Sequence, residues 1–317
     1  MLSDPTCRAL DEITLPSRAA ARPCIHTALK TVILTVVRNT LVVPAHGQRW
    51  EESAVGSGVR RIVVVGAGSG IGAATARWFS GRGDHVLAVD ARPRTESVAA
   101  EWLVCDLRDA DQVAQTLATI GDGWDVLAHV AGIPGTAEAA DVLSVNYLGA
   151  RRMLDGMLSR MNRGGAMVAV ASTAALGWES NLELLSTLLA VEDDAALSHW
   201  LTTQDPAMAY YLSKQALVLY AKRLSGIAWR EYGVRVNTVS PGPTETPILG
   251  EFERSMGKEM LDGVRATIGR HGTVDDMAPA IGFLASPEAR WINGQDIQVD
   301  GGFNATLMYP MPAKAGA

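Results

Sequence analysis

The stretch Arg61-Ile62-Val63-Val64-Val65-Gly66-Ala67-Gly68-Ser69-Gly70-Ile71-Gly72-Ala73-Ala74 decides how the chain is organised. A β-branched run reads as a strand, a glycine-rich turn comes after it, and small helix formers begin behind the turn. Glycines let the main chain come close to a pyrophosphate, and the N-terminus of the next helix attracts its charge. A glycine-rich turn alone is weak evidence. Here it succeeds a strand, opens a helix, and leads to a second strand, His85-Val86-Leu87-Ala88-Val89, that delivers Asp90. In that setting dinucleotide binding is favoured over a plain tight turn. A carboxylate at position 90 can accept both ribose hydroxyls of NAD and would repel the 2′-phosphate of NADP. Arg92 and Arg94 act against this, because either could pair with that phosphate; NAD is the favoured cofactor.

A second stretch, Ala209-Tyr210-Tyr211-Leu212-Ser213-Lys214-Gln215-Ala216, has helix formers on both sides. As a helix it places Tyr210 and Lys214 on one face, roughly 6 Å apart along the axis. An ammonium beside a phenol is expected to pull its pKa towards neutrality and make it a proton donor or acceptor. Two solvated residues on an amphipathic helix would be the plainer reading of this pair alone. The glycine-rich turn and Asp90 argue against it.

The spacing Gly66-x-x-x-Gly70-x-Gly72 together with Tyr210-x-x-x-Lys214 resembles the short-chain dehydrogenase/reductase family, over about residues 60–310. The resemblance implies an α/β fold, a single Rossmann-type doubly wound parallel sheet with helices on both faces, spanning residues 58–310. It also implies reversible hydride transfer between NAD and an alcohol or carbonyl. Ser172, at the end of a strand over 166–171, and Tyr210 would bind the substrate oxygen, and Tyr210 would exchange its proton. Lys214 would lower the Tyr210 pKa and bind the nicotinamide ribose, while Asn146, in a helix over 142–159, would support a water relay. The cofactor would rest on Gly66, Gly68, Ser69, Gly70, Ile71 and Gly72. Asp90 would hold ribose, and Asp106 with Leu107 would lie beside adenine. Ala131 and Gly132 would come after the fourth strand, and Pro241, Gly242, Thr244 and Thr246 would hold the nicotinamide carboxamide. Most of the family ends that fourth strand Asn-Asn-Ala-Gly; here His129 and Val130 replace the two Asn, and His129 is expected to be a satisfied core residue.

Between Ser172 and Tyr210 the chain is longer than is usual in the family. Leu182–Leu189 and Asp194–Leu201 read as two extra helices, with Trp178 and Trp200 as bulky anchors, forming either a lid or a subunit contact. Ile248–Met260, with Phe252 and Met256, reads as an apolar flap. The short loop after the fourth strand and the long insert resemble two branches of the family, the coniferyl-alcohol dehydrogenases and the 3α-hydroxysteroid dehydrogenase/carbonyl reductases. Ala131–Thr136 and Arg290–Gly294 are nearer the first. The expected pocket, walled by the insert around Trp178 and by the flap, suits a bulky apolar alcohol or ketone.

Composition bounds the rest. A chain of 317 residues that is 48% hydrophobic and 20% charged can bury a sizeable core. Its net charge of −6 argues against nucleic-acid or anionic-membrane partners. Three cysteines, Cys7, Cys24 and Cys105, fit neither a disulfide framework nor a metal cluster, and the six His show no ligand spacing. No metal is expected, and a reducing cytoplasm is. Residues 1–57, with scattered Arg and Pro, read as a disordered extension or a start codon set too far upstream, with an organelle transit peptide as the alternative. Residues 311–317 read as a tail. The expected partners are a small-molecule substrate and further copies of the chain in a homodimer or homotetramer. Two rivals stand against this: a non-catalytic dinucleotide sensor, which would have lost Ser172, Tyr210 or Lys214, and a reductase of carrier-bound acyl chains, which would favour NADPH and a basic patch by the flap.

Overall fold

The computed structural model describes residues 58–93 and 99–310. The extension (1–57), the tail (311–317) and Arg94 lie outside the described residues, as do the side chains of Phe252, Ser255 and Met256. In chain order the elements are β1 (Arg61–Val65), α1 (Gly70–Ser80), β2 (His85–Asp90), β3 (Glu101–Val104), α2 (Ala110–Ile120) and β4 (Trp124–His129). Next come α3 (Ala139–Leu143), a π-helical segment (Ser144–Gly149), α4 (Ala150–Leu158), β5 (Met161–Val170), α5 (Leu182–Leu189), α6 (Asp194–Leu201) and α7 (Ala209–Ile227). The chain continues through β6 (Arg235–Pro241), β7 (Thr244–Glu245), α8 (Leu249–Met256), α9 (Lys258–Ile268) and β8 (Gly272–Thr273). It closes with α10 (Val274–Leu284), β9 (Asp296–Val299) and α11 (Phe303–Met308).

Seven strands form one sheet in the order β3–β2–β1–β4–β5–β6–β9, and every neighbouring pair is parallel. Parallel strands need crossovers, which coat both faces with helices, so the central strands are apolar throughout. Ile62 to Val65 are all buried. Their side chains alternate between two cores. Val63, Val65, Leu127 and Met167 pack with Met153 and Leu217 on one face. Ile62, Val64, Val126 and Val168 pack with Phe79 and Ile281 on the other. The connections leave β1 towards β2 and return to its other side at β4, so a crevice opens beyond the C-terminal ends of β1 and β4.

The sequence predicts one regular helix over 142–159. The observed helix runs from Ala139 to Leu158 but widens into a π turn at Ser144–Gly149, the turn that carries Asn146. The last residue of that turn lies against the connection between β3 and α2: a Cβ on Gly149 would lie 2.6 Å from the Leu107 carbonyl oxygen. Only glycine fits that approach. Hydrophobic periodicity does not register such a local change of pitch, because the apolar positions stay on the buried side.

Candidate active site

One cavity of about 880 Å³ lies along the carboxyl ends of β1, β2, β4, β5 and β6. Its cradle is main chain. Gly66 (φ 87°) and Gly70 (φ 52°) have positive φ, which glycine adopts without strain. A Cβ on Gly66 would lie 2.5 Å from the Ala131 nitrogen, and one on Gly72 would lie 1.9 Å from the Gly66 carbonyl oxygen. The side chain of Ser69 makes no cap hydrogen bond to α1, leaving that helix N-terminus open to an anion at the cavity wall. Gly66, Ser69, Gly70, Ile71 and Gly72 line the cavity. Gly68 does not; it lies behind, where its N–H donates to Asp90 Oδ2 at 2.8 Å. A Cβ there would crowd the Asp90 carboxylate at 2.7 Å.

Asp90, Asp106 and Leu107 line the same side. The Arg92 N–H donates to Asp90 Oδ1 at 3.1 Å, and its guanidinium reaches Ser69 Oγ at 3.1 Å. Asp106 is paired with Arg108 at 2.7 Å, which holds its carboxyl below the usual range. Ala131, Gly132, Pro241, Gly242, Thr244 and Thr246 line the opposite rim, and the Thr244 hydroxyl donates to the Gly242 carbonyl at 2.8 Å. A backbone with this close approach, a carboxylate at the end of β2 and a helix N-terminus at the turn fit a dinucleotide.

Tyr210 and Lys214, one turn apart on α7, are both buried and line the cavity with Ser172. Ser172 Oγ accepts from the Ala174 N–H at 3.1 Å. Lys214 Nζ donates to the Val170 carbonyl at 3.1 Å and lies 5.9 Å from the centre of the Tyr210 ring. Asn146 is buried behind them. Its Oδ1 accepts from the Ile133 N–H at 2.8 Å, and its amide donates to the Ile133 carbonyl at 3.0 Å and to Ser213 Oγ at 3.3 Å. Asn146 Oδ1 and Lys214 Nζ flank Gly132, each 3.2 Å from where its Cβ would be.

Two expectations need correction. The phenol of Tyr210 is not pulled towards neutrality: burial pushes it up to about 12, Tyr211 raises it further, and a hydrogen bond with Ser172 opposes them. Burial likewise pushes Lys214 down to about 8. Desolvation penalises both charged forms and is the largest cause of each shift. The second concerns His129. It is fully buried, yet beyond its own main chain neither ring nitrogen has a hydrogen-bond partner among the described residues. Burial and the nearby Lys214 push it down to about 4. It is a core residue, but not a satisfied one.

The substrate-side wall also differs from expectation. Trp178 packs against the core, with Lys222 Nζ 5.7 Å from its ring, and does not line the cavity. The insert contributes Leu176 and Met208, the flap Ile248 and Met260. Tyr211, Gln215, Phe303 and Asn304 line the cavity too and are not apparent from the motifs. Tyr211 carries a signal, since it neighbours Tyr210. Phe303 and Asn304 carry none, because only the fold of the whole chain brings α11 to the site. Among the described residues no group of three or more His, Cys, Asp or Glu is placed to hold a metal ion. No described helix is long and apolar enough to cross a membrane.

The family model described as Enoyl-(Acyl carrier protein) reductase matches residues 66–187 and 196–304. A coniferyl-alcohol dehydrogenase from Pseudomonas sp. strain HR199 is 34% identical over 251 residues, which is 78% of this chain and 98% of that protein. A 3-alpha-hydroxysteroid dehydrogenase/carbonyl reductase from Comamonas testosteroni is 34% identical over 258 residues, covering 78% and 97%. Among solved structures, a 3-alpha-hydroxysteroid dehydrogenase from Pseudomonas sp. B-0831 complexed with NADH superposes with a TM-score of 0.66 at 30% identity, covering 80% of this chain and 99% of that one. The chain belongs to the short-chain dehydrogenase/reductase family. It is an NAD(P)-dependent oxidoreductase acting between alcohols and carbonyls.

Proposed function

We propose that the protein is an NAD-dependent dehydrogenase/reductase of a bulky, mostly apolar alcohol or ketone, with coniferyl alcohol as the model substrate. The observation that carries it is the burial of Tyr210 and Lys214, with Ser172, at one cavity that also contains a glycine cradle and Asp90. Bound NAD supplies the hydride acceptor. The chain's own residues do the rest. Asp90, with its carboxylate set by Gly68 and Arg92, holds ribose hydroxyls, and the open N-terminus of α1 holds the pyrophosphate. Ser172 and Tyr210 bind the substrate oxygen. With its pKa pushed up to about 12, the phenol is protonated at neutral pH and donates to an oxygen that develops negative charge during reduction. Lys214, anchored on Val170, keeps an ammonium within reach of that phenol, and Asn146 fixes the loop at Ile133 beside it.

Leu176, Met208, Tyr211, Ile248 and Met260 make the substrate wall apolar and aromatic. Burial of a flat ring system against such a wall is favourable at about 25 cal/mol per Å², and Met adapts to irregular shapes. The basic groups of the flap are engaged, Arg254 with Glu251 and Lys258 with Asp262, which disfavours an acidic carrier-protein partner. A hydroxysteroid is the second candidate, supported by the relatives that act on steroids. A cytoplasmic homodimer or homotetramer completes the proposal, supported by exposed Trp291, Ile297, Leu307 and Tyr309 in or beside the last strand and helix. Sedimentation would test the assembly. Turnover of coniferyl alcohol, a 3α-hydroxysteroid and ethanol with NAD and with NADP tests the activity. A higher kcat/KM for ethanol than for either bulky alcohol would reject it.

A further inference from the structure

The two helices of the insert between β5 and α7 do not line the cavity; they lie against the helices behind the site. Leu185, Leu188 and Leu197 of α5 and α6 share a buried cluster with Tyr147 and Leu148 of the π turn and with Tyr210 itself. Polar contacts fasten it at defined points. Arg151 Nη1 donates to the carbonyls of Leu189 and Val191 at 3.1 and 2.9 Å, at the C-terminal end of α5. Asn181 Nδ2 donates to Gln215 Oε1 at 2.9 Å, next to Lys214 in the sequence.

A further contact, to the π turn that carries Asn146, is made by Asp194, the first residue of α6. Its Oδ1 accepts from the hydroxyl of Ser144 at 3.0 Å, and its Oδ2 is 3.2 Å from Arg152 Nη2. Ser144 is buried and opens the π turn; Asn146 is two residues further on. We propose that Asp194 is a positioning residue: through Ser144 it holds the π turn in the phase that aims Asn146 at Ile133, beside Lys214. The insert is then a brace that sets the rate of proton transfer, and only residues near its two ends, Thr173, Ala174, Leu176 and Met208, reach the cavity. This rests on the reading of Tyr210, Lys214 and Asn146 as the reacting site. The physical reason is that a π turn is a tolerated irregularity, and an outside hydrogen bond at its first residue favours that phase over the regular one.

The full-length protein with NAD and coniferyl alcohol as probe tests this, with NADH affinity and Tm measured in parallel. Asp194→Ala and Ser144→Ala are each expected to lower kcat about tenfold. KM for alcohol and NAD and the Kd for NADH should stay within about twofold, while the pH dependence of kcat shifts. The double variant should be no slower than either single one, because both break one contact. Asp194→Asn keeps an acceptor for Ser144 and should restore kcat. A raised alcohol KM with unchanged kcat would make the insert a lid and overturn the proposal. So would an Asp194→Asn enzyme as slow as Asp194→Ala, or a loss of kcat that tracks loss of Tm and NADH affinity in all variants. An active Tyr210→Phe enzyme would overturn the site reading as well; a dead Tyr210→Phe beside a fully active Asp194→Ala would overturn the brace alone.

Discussion

A Cβ added at Gly66, Gly68 or Gly72 of the cradle would come within 2.5, 2.7 and 1.9 Å of neighbouring atoms. Across the cavity, in the flap helices, a Cβ at Gly250 or Gly263 would meet no atom of any packed neighbour within 4 Å. In the first region main chain is pressed against main chain at Gly66 and Gly72 and against the Asp90 carboxylate at Gly68, where one residue type fits. The second faces open space, where many would. Sequence therefore constrains structure tightly at the cradle, which allows no added side chain without loss of shape. The flap can change to suit a substrate.

Tyr210→Phe should have the largest effect, at the junction of the two regions. Turnover is expected to fall about 10²- to 10⁴-fold while NADH binding stays, because the ring remains and the proton goes. Fluorescence titration beside steady-state kinetics would check it; a dead Tyr211→Phe with an active Tyr210→Phe would move the acid to the neighbouring ring. Gly72→Ala should come next. The overlap with Gly66 forces the turn apart, costing about 3 kcal/mol or more of stability and most of the NADH affinity. Chemical denaturation and NADH titration would read both, and near-native values would remove the contrast on the cradle side.

Acid should reveal the next effect. His129 has a folded pKa of about 4 against an ordinary value of 6.5, so the unfolded chain takes the proton first. The stability is fully present above pH 6.5 and is lost as pH falls towards 4, by about 3 kcal/mol. Denaturation midpoints from pH 7 to 4 should fall less steeply in His129→Leu. At the flap, Gly263→Ala should raise stability by about 0.5–1 kcal/mol, since the position is helical and open. A destabilised protein there would remove the contrast from the other side. Smallest of all, deletion of residues 1–55 should leave kcat/KM within about twofold, because the cavity residues run from Val65 to Asn304.

The cradle is legible in the sequence because its constraints are local. A strand, a glycine turn and a helix succeed one another within about twenty residues, and each is announced by its own residue types. The insert helices are legible at Leu182–Leu189 and Asp194–Leu201 for the same reason, since each has its own apolar period. The surface those helices rest on is not. Trp178 reads as a pocket wall and is a core anchor, because a large apolar side chain serves either purpose and only the packing distinguishes them. Spacing misleads about the Tyr210 pKa because it gives proximity to a charge but says nothing about burial, which here has the larger effect. His129 reads as satisfied because buried polar groups usually are. Phe303 and Asn304 reach the cavity through contacts among elements far apart in sequence.

The wide turn at Ser144–Gly149 also makes the length of the chain negotiable at one point. A π turn holds about one residue more than a regular helical turn. Were the pitch kept regular, one added residue would rotate the rest of the helix by about 100°. Ala150, Met153, Leu154 and Met157, all fully buried on the sheet side, would then swing away from the core together. Widening the turn absorbs the extra residue instead, so the apolar stripes on its two sides stay in line. Loss of one residue from this turn would let the helix close to its ordinary pitch with the flanking stripes still in line, at the expense of the buried contacts of Tyr147, Leu148 and Gly149 within the turn. The direction of Asn146 would not survive that closure. Chain length here is held by the demands of the site together with the turn's own buried contacts, while the helix on either side is indifferent to it.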